Sequence, residues 1–576
     1  MSTSLFRKKS IDKIVADAKA VSENGHGMAL RRVLTVRDLT FFGIAAIIGA
    51  GSFSSMGSAV ATGGPGVIFL FILCGIACGF TALCYAEFAS RIPVAGSAYT
   101  YAYASFGEMI AWLIGWALIM EYSIGNIYVA FAWSDYFTNL LNHLGISLPS
   151  WLGTNYKAAH AAFDSNSVGA VMDAWTASPQ IGGLRIIFDL PALLINVLIT
   201  WLVYTGVKES RNVSNVMVII KLAIVVLVII VGAFYVDIEN WTPVNDAGER
   251  SFMPNGFAGV MLGVSAVFFA YIGFDAVSTM AEESKNPQRD LPKGMIYSLV
   301  ICTIVYILLS LVLTGMTNYR QLAVSDPLAE VFKIRNVGWM EILVSICAVA
   351  AMTSVMLVFQ LGQPRIWMSM SRDGLLPARF QRIHQKYKTP SFATMVTGLV
   401  VGIPILFTDE KFVLDFTSIG TLFAFVLVCG GILLIPRKEK QQGKFHLPYI
   451  NARFIFPGII IVSLVLVYIF ATGYFTELFN GDFGDHTEKD ANRLYFTTLT
   501  LKISTIIFWL ICLTLAIFAF LKNLSLIPLL GLVSCLYLLT GMSASNWKWF
   551  FLWFLLGIVI YLLYGYRRSK LSRNHK

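Results

Sequence analysis

The chain reads Ile47-Ile48-Gly49-Ala50-Gly51-Ser52-Phe53 in the middle of an apolar stretch that runs from residue 38 to residue 60. Three small residues in a row weaken a helix and free several backbone N–H groups, which suit a carboxylate at the start of a half-helix. A side chain at Gly49 or Gly51 would restrict the φ/ψ values of the break and crowd the carboxylate. Close helix packing through small residues explains this motif alone equally well.

A second interruption, Phe268-Phe269-Ala270-Tyr271-Ile272-Gly273-Phe274-Asp275, lies five apolar stretches further along the chain. A break here would free carbonyl groups, which suit an ammonium group. In lipid, backbone leaves helical geometry only where it is buried in protein or lines a cavity. Two breaks at this separation indicate two inverted five-helix repeats whose first helices are discontinuous. Donors in one break and acceptors in the other match a zwitterionic ligand.

The composition places both breaks in an all-α integral membrane protein. Of 576 residues, 57% are hydrophobic and 13% are charged, whereas soluble globular proteins are about a quarter charged. The apolar residues form blocks long enough to cross about 30 Å of hydrocarbon. We predict about fourteen spans, numbered in chain order: 38–60, 66–90, 106–138, 187–206, 212–235, 255–280, 294–316, 338–370, 391–407, 412–436, 454–475, 500–521, 524–542 and 548–566.

The charge distribution predicts the orientation and three regions. An even number of spans puts both termini on one side, and most of the 43 Lys and Arg residues then fall on that side. By the positive-inside rule, this side faces the cytoplasm. We expect the protein in the plasma membrane or the inner membrane of a cell. Residues 1–37 would be a cytoplasmic segment, either an amphipathic helix or a disordered basic tail. Residues 38–436 would form the ten-helix core, and residues 437–576 four further spans and a basic tail.

Three longer segments carry a family resemblance. The ends of spans 2 and 6 run into Cys84-Tyr-Ala-Glu-Phe-Ala-Ser-Arg-Ile-Pro-Val-Ala-Gly-Ser-Ala-Tyr99 and Glu282-Glu-Ser-Lys-Asn-Pro-Gln-Arg-Asp-Leu-Pro-Lys-Gly294. Span 3 contains Trp116-Ala-Leu-Ile-Met-Glu-Tyr122. Together they resemble the amino acid–polyamine–organocation superfamily, close to its cationic amino acid transporter branch, over roughly residues 30–475. The resemblance implies an inverted-repeat fold, alternating access, and an amino acid site between spans 1, 3, 6 and 8.

The resemblance also assigns residues to that site. The residues of the first break would hold the carboxylate and part of the amine of the substrate. The residues of the second break would offer carbonyl groups to the amine. The first set is Ile47, Gly49, Ala50 and Gly51; the second is Phe269, Ala270 and Ile272, with Phe269 also acting as a gate.

Ionisable residues inside spans are costly, and this makes Glu121 and Asp275 candidates for contact with the substrate or a proton path. The alternative for each is a hydrogen bond between helices that only locks the bundle. Lys221 lies nine residues after Asn212, the predicted start of span 5, and therefore roughly 13 Å deep. A lysine at this place in the resembling branch lies beside the broken part of span 1.

The position of Lys221 deep inside span 5 indicates that transport is coupled to protons. When protonated, Lys221 would donate to carbonyls near Gly49 and Gly51, and deprotonation toward the cytoplasm would release both proton and substrate. The hydroxyls of Thr353 and Ser354 in span 8 keep sodium coupling open, although a nearby positive charge would repel sodium. Exchange or facilitated transport, with a structural Lys221, is the other alternative.

One face of span 8 bears on substrate size. Met352, Val355, Phe359 and Gln363 recur at spacings of three and four and share a helix face. If that face meets the substrate, Phe359 and Met352 fill the volume that a long cationic side chain would need, which favours a small or medium neutral amino acid. The alternative is that this face packs against other helices.

Other classes of function fit the sequence less well. The eight cysteines lie inside apolar blocks and the seven histidines outside them, so we expect no metal site, no cofactor and no enzyme chemistry. The expected partners are an amino acid, the lipid bilayer and a driving proton, without nucleic acid. The open alternatives are an exchanger or facilitator of cationic amino acids and a sensor that binds amino acids without moving them.

Overall fold

The computed structural model describes residues 5, 7–14, 16, 32–49, 51–165, 170–182, 184–245, 248–324, 326–436, 444–471, 473–479 and 499–573. Ala50, most of the N-terminal segment 1–37 and the acidic loop 480–498 lie outside these residues. The described residues form helices and their connections, with one small antiparallel pair of strands, Gln180–Ile181 and Leu184–Arg185. The prediction of an all-helical membrane protein is confirmed.

The helices coincide with the predicted spans, with ends that differ by a few residues. Those of spans 1 to 10 are Val36–Ile47 with Gly51–Ser55 and Met56–Gly63, Val67–Arg91, Glu108–His143, Leu190–Thr205, Val207–Ala233, Gly256–Leu262 with Val264–Phe269 and Phe274–Glu283, Pro287–Met316, Gly338–Arg372, Ser391–Ile405 and Glu410–Leu434. Those of spans 11 to 14 are Ile455–Phe470, Leu499–Lys522, Leu526–Thr540 and Ala544–Ile560.

Length and apolarity support many of these crossings directly. Across the described part of the chain, nine helices are long and apolar enough to span a membrane. Four shorter apolar helices of 10–17 residues coincide with predicted spans 4, 9, 11 and 13. The count of fourteen crossings and the relation of the two halves by inversion stay predictions.

Span 1 has a sharp start because Thr35 and Asp38 form a capping box. The backbone N–H of Thr35 donates to Asp38 Oδ2 at 2.9 Å, and that of Asp38 donates to Thr35 Oγ1 at 3.5 Å. Asn215 of span 5 donates to the other oxygen of Asp38 at 2.9 Å. The entry of span 1 is therefore anchored to a neighbouring span.

Both terminal segments pack against the same end of the bundle, which we call the inner end. The N–H of Glu108 donates to the carbonyl of Arg7 at 2.9 Å, and the Ser569 hydroxyl donates to the Glu108 carboxylate at 2.5 Å. The N–H of Lys570 donates to the carbonyl of Asp373 at 3.0 Å. This is the arrangement that an even number of spans requires, and we call the opposite end the outer end.

The last spans are attached to the core. Trp112 of span 3 donates to the carbonyl of Gly557 in span 14 at 2.8 Å, and Trp116 stacks on Trp553 with ring centroids 4.6 Å apart. Span 13 packs against spans 2 and 10. Spans 13 and 14 therefore flank the helices that surround the two breaks.

Candidate substrate site between the broken spans

The first break separates the helix Val36–Ile47 from a π-helical turn, Gly51–Ser55. Ile48 is extended, with φ −80° and ψ 103°, and the N–H groups of Ser52 and Phe53 both donate to the carbonyl of Gly49 at 3.0 Å. Neither Gly49 nor Gly51 has a positive φ. A left-handed backbone therefore does not require glycine at either position, but space is short at both: an added Cβ on Gly49 would meet the side chain of Val355, and one on Gly51 would meet Ala270.

The second break follows the helix Val264–Phe269 and ends at Gly273, whose φ of 114° favours glycine. The chain then continues as a tighter 3₁₀ helix, Phe274–Glu283. A Cβ on Gly51 would lie 2.8 Å from the Cβ of Ala270, and a Cβ on Gly273 would lie 2.6 Å from that of Ala46. The two breaks are therefore in direct contact, as a site shared by spans 1 and 6 requires.

Tyr306 of span 7 joins the carbonyls of the two breaks. Its buried hydroxyl lies 2.7 Å from the carbonyl oxygen of Ile47 and 2.8 Å from that of Ala270. A carbonyl oxygen has two lone pairs, so both groups keep capacity for a substrate ammonium. Sequence reasoning missed Tyr306, although a tyrosine near the middle of a span, away from the membrane interfaces, was an available signal.

We expect Tyr306→Phe to weaken substrate binding about tenfold, because the one hydroxyl proton that the two carbonyls share, worth about 1.4 kcal/mol, is lost while the ring stays in place. Equilibrium binding of labelled substrate to the purified protein measures the effect. Tyr297→Phe, an exposed tyrosine in the same helix, is the control. Unchanged affinity in Tyr306→Phe would show that the carbonyls hold their positions without the bridge.

Lys221 lies beside the end of the first half-helix. Its Nζ donates to the carbonyls of Ala45 at 3.1 Å and Ile48 at 2.7 Å, and to Ser354 Oγ at 3.0 Å. The side chain is fully buried. These carbonyls belong to the last turn before the break and lack helical partners, so the ammonium satisfies them. The helix of span 5 begins at Val207, earlier than the predicted Asn212.

The two hydroxyls of span 8 face different neighbours. Ser354 accepts from Lys221, as described above, whereas Thr353 accepts from Trp133 Nε1 at 3.0 Å and donates to the carbonyl of Val349 at 2.7 Å. Only Ser354 is therefore brought to the ammonium and the broken end of span 1. A sodium site made from both hydroxyls is not supported by this arrangement.

The two acidic residues predicted as candidates, Glu121 and Asp275, have different surroundings, although both are fully buried. Asp275 accepts a hydrogen bond of 3.3 Å from the Tyr122 hydroxyl, which links span 6 to span 3. Neither carboxylate oxygen of Glu121 has a hydrogen-bond partner among the described residues, and the Thr421 hydroxyl donates to the carbonyl of Thr417 at 3.2 Å. A hydrogen bond between helices thus explains in part why a buried carboxyl group is present at Asp275. It does not explain the buried carboxyl group of Glu121.

Phe359 packs onto span 3. Its ring stacks on Tyr122 with centroids 5.5 Å apart, and a Cβ on Gly125 would lie 3.1 Å from the ring edge. On the same face of span 8, Gln363 donates to Ser123 at 2.7 Å, and Val355 lies against Gly49. The face therefore meets both span 3 and the first break.

Two ion pairs, one buried and one partly exposed, join spans 6 and 8 near the inner end. Arg365 donates to Glu283 through Nε at 2.9 Å and Nη2 at 2.5 Å, and the two side chains are 1% and 3% exposed. Arg372 pairs with Glu282 at 2.8 Å. The backbone N–H of Leu34, just before span 1, donates to the Glu283 carbonyl at 3.0 Å. Sequence reasoning missed these pairs, although an arginine inside a span requires a partner.

A polytopic helical protein with two broken helices in contact, and a buried lysine beside one of them, is built to hold and move a small solute. Comparison with known proteins confirms this class: the protein is a membrane transporter and not an enzyme. It belongs to the amino acid permease family, whose model matches residues 34–501. The predicted superfamily is thereby confirmed.

Several known transporters are similar to the chain along most of its length. The branched-chain amino acid permease BcaP of Bacillus subtilis (strain 168) is 36% identical over 575 residues, covering 100% of both chains. The methylthioribose transporter of the same organism is 40% identical over 450 residues, 78% of this chain and 89% of the relative. Human cationic amino acid transporter 4 is 30% identical over 600 residues, 96% of this chain and 90% of the relative.

Proposed function

We propose that this protein is a secondary-active transporter that moves amino acids together with protons, by alternating access across a cell membrane with both termini in the cytoplasm. The substrate class follows from the two breaks. In this proposal the start of the second half-helix of span 1 would present N–H groups to a carboxylate, and the break in span 6 would present carbonyls to an ammonium; a zwitterion needs both. Methylthioribose is a second candidate because of the relative named above, although it has neither charge.

The observation that carries proton coupling is the bonding of Lys221. A protonated amine has three donors and no acceptor, and Ala45, Ile48 and Ser354 supply three acceptors. Loss of the proton replaces a donor by a lone pair that faces oxygen atoms, which weakens the attachment of the first half-helix to spans 5 and 8. Protonation therefore favours the closed site, and deprotonation favours release.

Alternating access requires contacts that can break at each end of the bundle. At the inner end, the Arg365–Glu283 and Arg372–Glu282 pairs join the end of span 6 to span 8. Opening this end would separate the charged groups and give them water, which offsets the Coulomb energy that is lost. These contacts thus suit a reversible gate.

Substrate size follows from Phe359, the position already predicted to limit the pocket. Its ring stacks on Tyr122 of span 3, and Val355, one turn earlier on the same helix face, lies against Gly49 of the first break. A small or medium neutral amino acid fits this arrangement, and a long cationic side chain requires that the ring move. Arginine is therefore the informative competitor.

The test is uptake into proteoliposomes under a proton gradient alone, a sodium gradient alone, or no gradient. Labelled alanine, isoleucine, arginine and methylthioribose are offered separately. We expect a neutral amino acid to accumulate under the proton gradient and sodium to have no effect. Accumulation driven by sodium alone, or flux only in exchange for internal amino acid, would refute proton coupling. Tight binding without flux under any condition would make the protein a sensor.

A further inference from the structure

A carboxylate at the outer end joins three spans above the substrate site. Glu410 is the first residue of the span 10 helix, and its Oε1 accepts from Ser54 Oγ at 3.1 Å. Ser54 belongs to the π-helical turn just outside the first break. The Tyr128 hydroxyl of span 3 lies 3.2 Å from Ser54 Oγ. Glu410 of span 10 is thus joined to span 1 directly and, through Ser54, to span 3.

This cluster lies directly against the predicted aromatic gate. The ring of Tyr128 packs edge-on against Phe269, with centroids 4.6 Å apart and an interplanar angle of 69°. Phe269 ends the outer half-helix of span 6. Nearby, the Tyr136 hydroxyl donates to the carbonyl of Phe53 at 2.6 Å. The outer parts of spans 1 and 6 are therefore held against span 3 at the level of the gate.

We propose that Glu410 is the latch of the outer gate: it holds the start of span 10 against Ser54, which contacts Tyr128, so that Phe269 stays over the site. The inference rests on the alternating access proposed above. A substrate entering from the outside must separate the outer halves of spans 1 and 6 from spans 3 and 10. That movement breaks hydrogen bonds to a carboxylate, which are about twice as strong as neutral ones. Glu410 is a positioning residue, since it acts on the substrate only through the gate.

The residue before the latch connects it to the outer loop. Asp409 forms an ion pair with Lys157, which lies in the loop helix Tyr156–Asp164 between spans 3 and 4. Lys157 is 58% exposed, and exposed ion pairs contribute little free energy. The loop helix therefore has a small effect on the latch, and Lys157→Ala should alter gate opening much less than a change at Glu410.

The test measures how quickly the site is reached from each side of the membrane. Val355, which lies against Gly49 below the gate, is changed to cysteine and labelled with a membrane-impermeant thiol reagent. The eight native cysteines are buried, and the protein without Val355→Cys gives their background. We expect Glu410→Ala to speed labelling from the outer side about tenfold, the equivalent of one lost hydrogen bond to a charged group. Labelling from the inner side should become slower.

The controls separate a latch from general loosening. Glu410→Gln keeps an oxygen acceptor and should restore most of the slow outer labelling, and Glu249→Ala, an exposed outer acid, should change nothing. A loosened protein would label faster from both sides, and that result would overturn the proposal, as would unchanged labelling in Glu410→Ala. If Glu410→Ala does not fold, Ser54→Ala removes the same contact from the other side and the same outcomes apply.

The labelling experiment is independent of the coupling ion. One possible result is faster outer labelling in Glu410→Ala together with wild-type uptake that is unaffected by the proton gradient. This result would refute proton coupling and support the latch. Unchanged labelling combined with normal proton-driven uptake in the wild type would refute the latch alone.

Discussion

Lys221→Met is expected to abolish proton-driven accumulation of substrate, so that the internal concentration stops at the external one. Methionine approximates the length and volume of the lysine stem but cannot donate to Ala45, Ile48 or Ser354. The proton that fastens the first half-helix then has no place to bind. Uptake of labelled substrate into proteoliposomes under a proton gradient measures the loss, and counterflow without a gradient should survive in part.

Two further variants sharpen the result. Lys221→Arg keeps a positive charge that does not dissociate in proteins, so it should bind the half-helix and still fail to couple. Lys502→Ala removes another buried lysine, in the span 12 helix Leu499–Lys522, and should leave coupling unchanged. If the Lys221→Met protein concentrates substrate when driven by protons alone, the coupling residue lies elsewhere. Glu121 is then the next candidate for the coupling residue.

Gly51→Val is expected to eliminate substrate binding and uptake while the protein stays folded in detergent. A Cβ on Gly51 would meet the Cα of Ala270 and lie 3.2 Å from its backbone nitrogen. Backbone cannot rotate away as a side chain can, so valine would push the two breaks apart. The carboxylate donors of span 1 and the carbonyls of span 6 would then no longer face one ligand.

The matched control for this variant is Gly79→Val. Gly79 lies in the apolar helix Val67–Arg91, and an added Cβ there meets no atom within 4 Å. Binding of labelled substrate and size-exclusion profiles are measured for both variants, with Gly51→Ala as a smaller step. Normal uptake by Gly51→Val would show that the break is not the substrate site.

The sequence predicted the class and the position of the breaks because both depend on local properties. Hydrophobic blocks separated by charge define membrane spans without reference to any partner. Runs of small residues such as Gly49 and Gly51 weaken a helix where they occur. The span 6 motif around Gly273 was recognisable for the same reason, and so was Lys221, because a charge inside a span is conspicuous wherever it points.

Other parts of the site depend on how the helices are rotated against each other. In the sequence, Tyr306 is an ordinary tyrosine of an apolar helix. Its role is visible only in the structure, where spans 1 and 6 place the carbonyls of Ile47 and Ala270 next to its hydroxyl. From the sequence, Thr353 and Ser354 were equally good candidates for a sodium site. Adjacent residues of a helix point about 100° apart, and in the structure only Ser354 contacts Lys221.

By itself, the sequence determined that this is a multi-span membrane protein of the amino acid permease family, with two weakened helices and a buried lysine. The tertiary structure alone decided which groups meet: Arg365 with Glu283, Glu410 with Ser54, and Gly51 with Ala270. The physical reason is that hydrophobicity and helix breaking are properties of short segments, whereas these polar contacts join distant residues: Arg365 and Glu283 are 82 positions apart, and Glu410 and Ser54 are 356 positions apart. Their partners are chosen by helix packing and by the need to satisfy polar groups away from water.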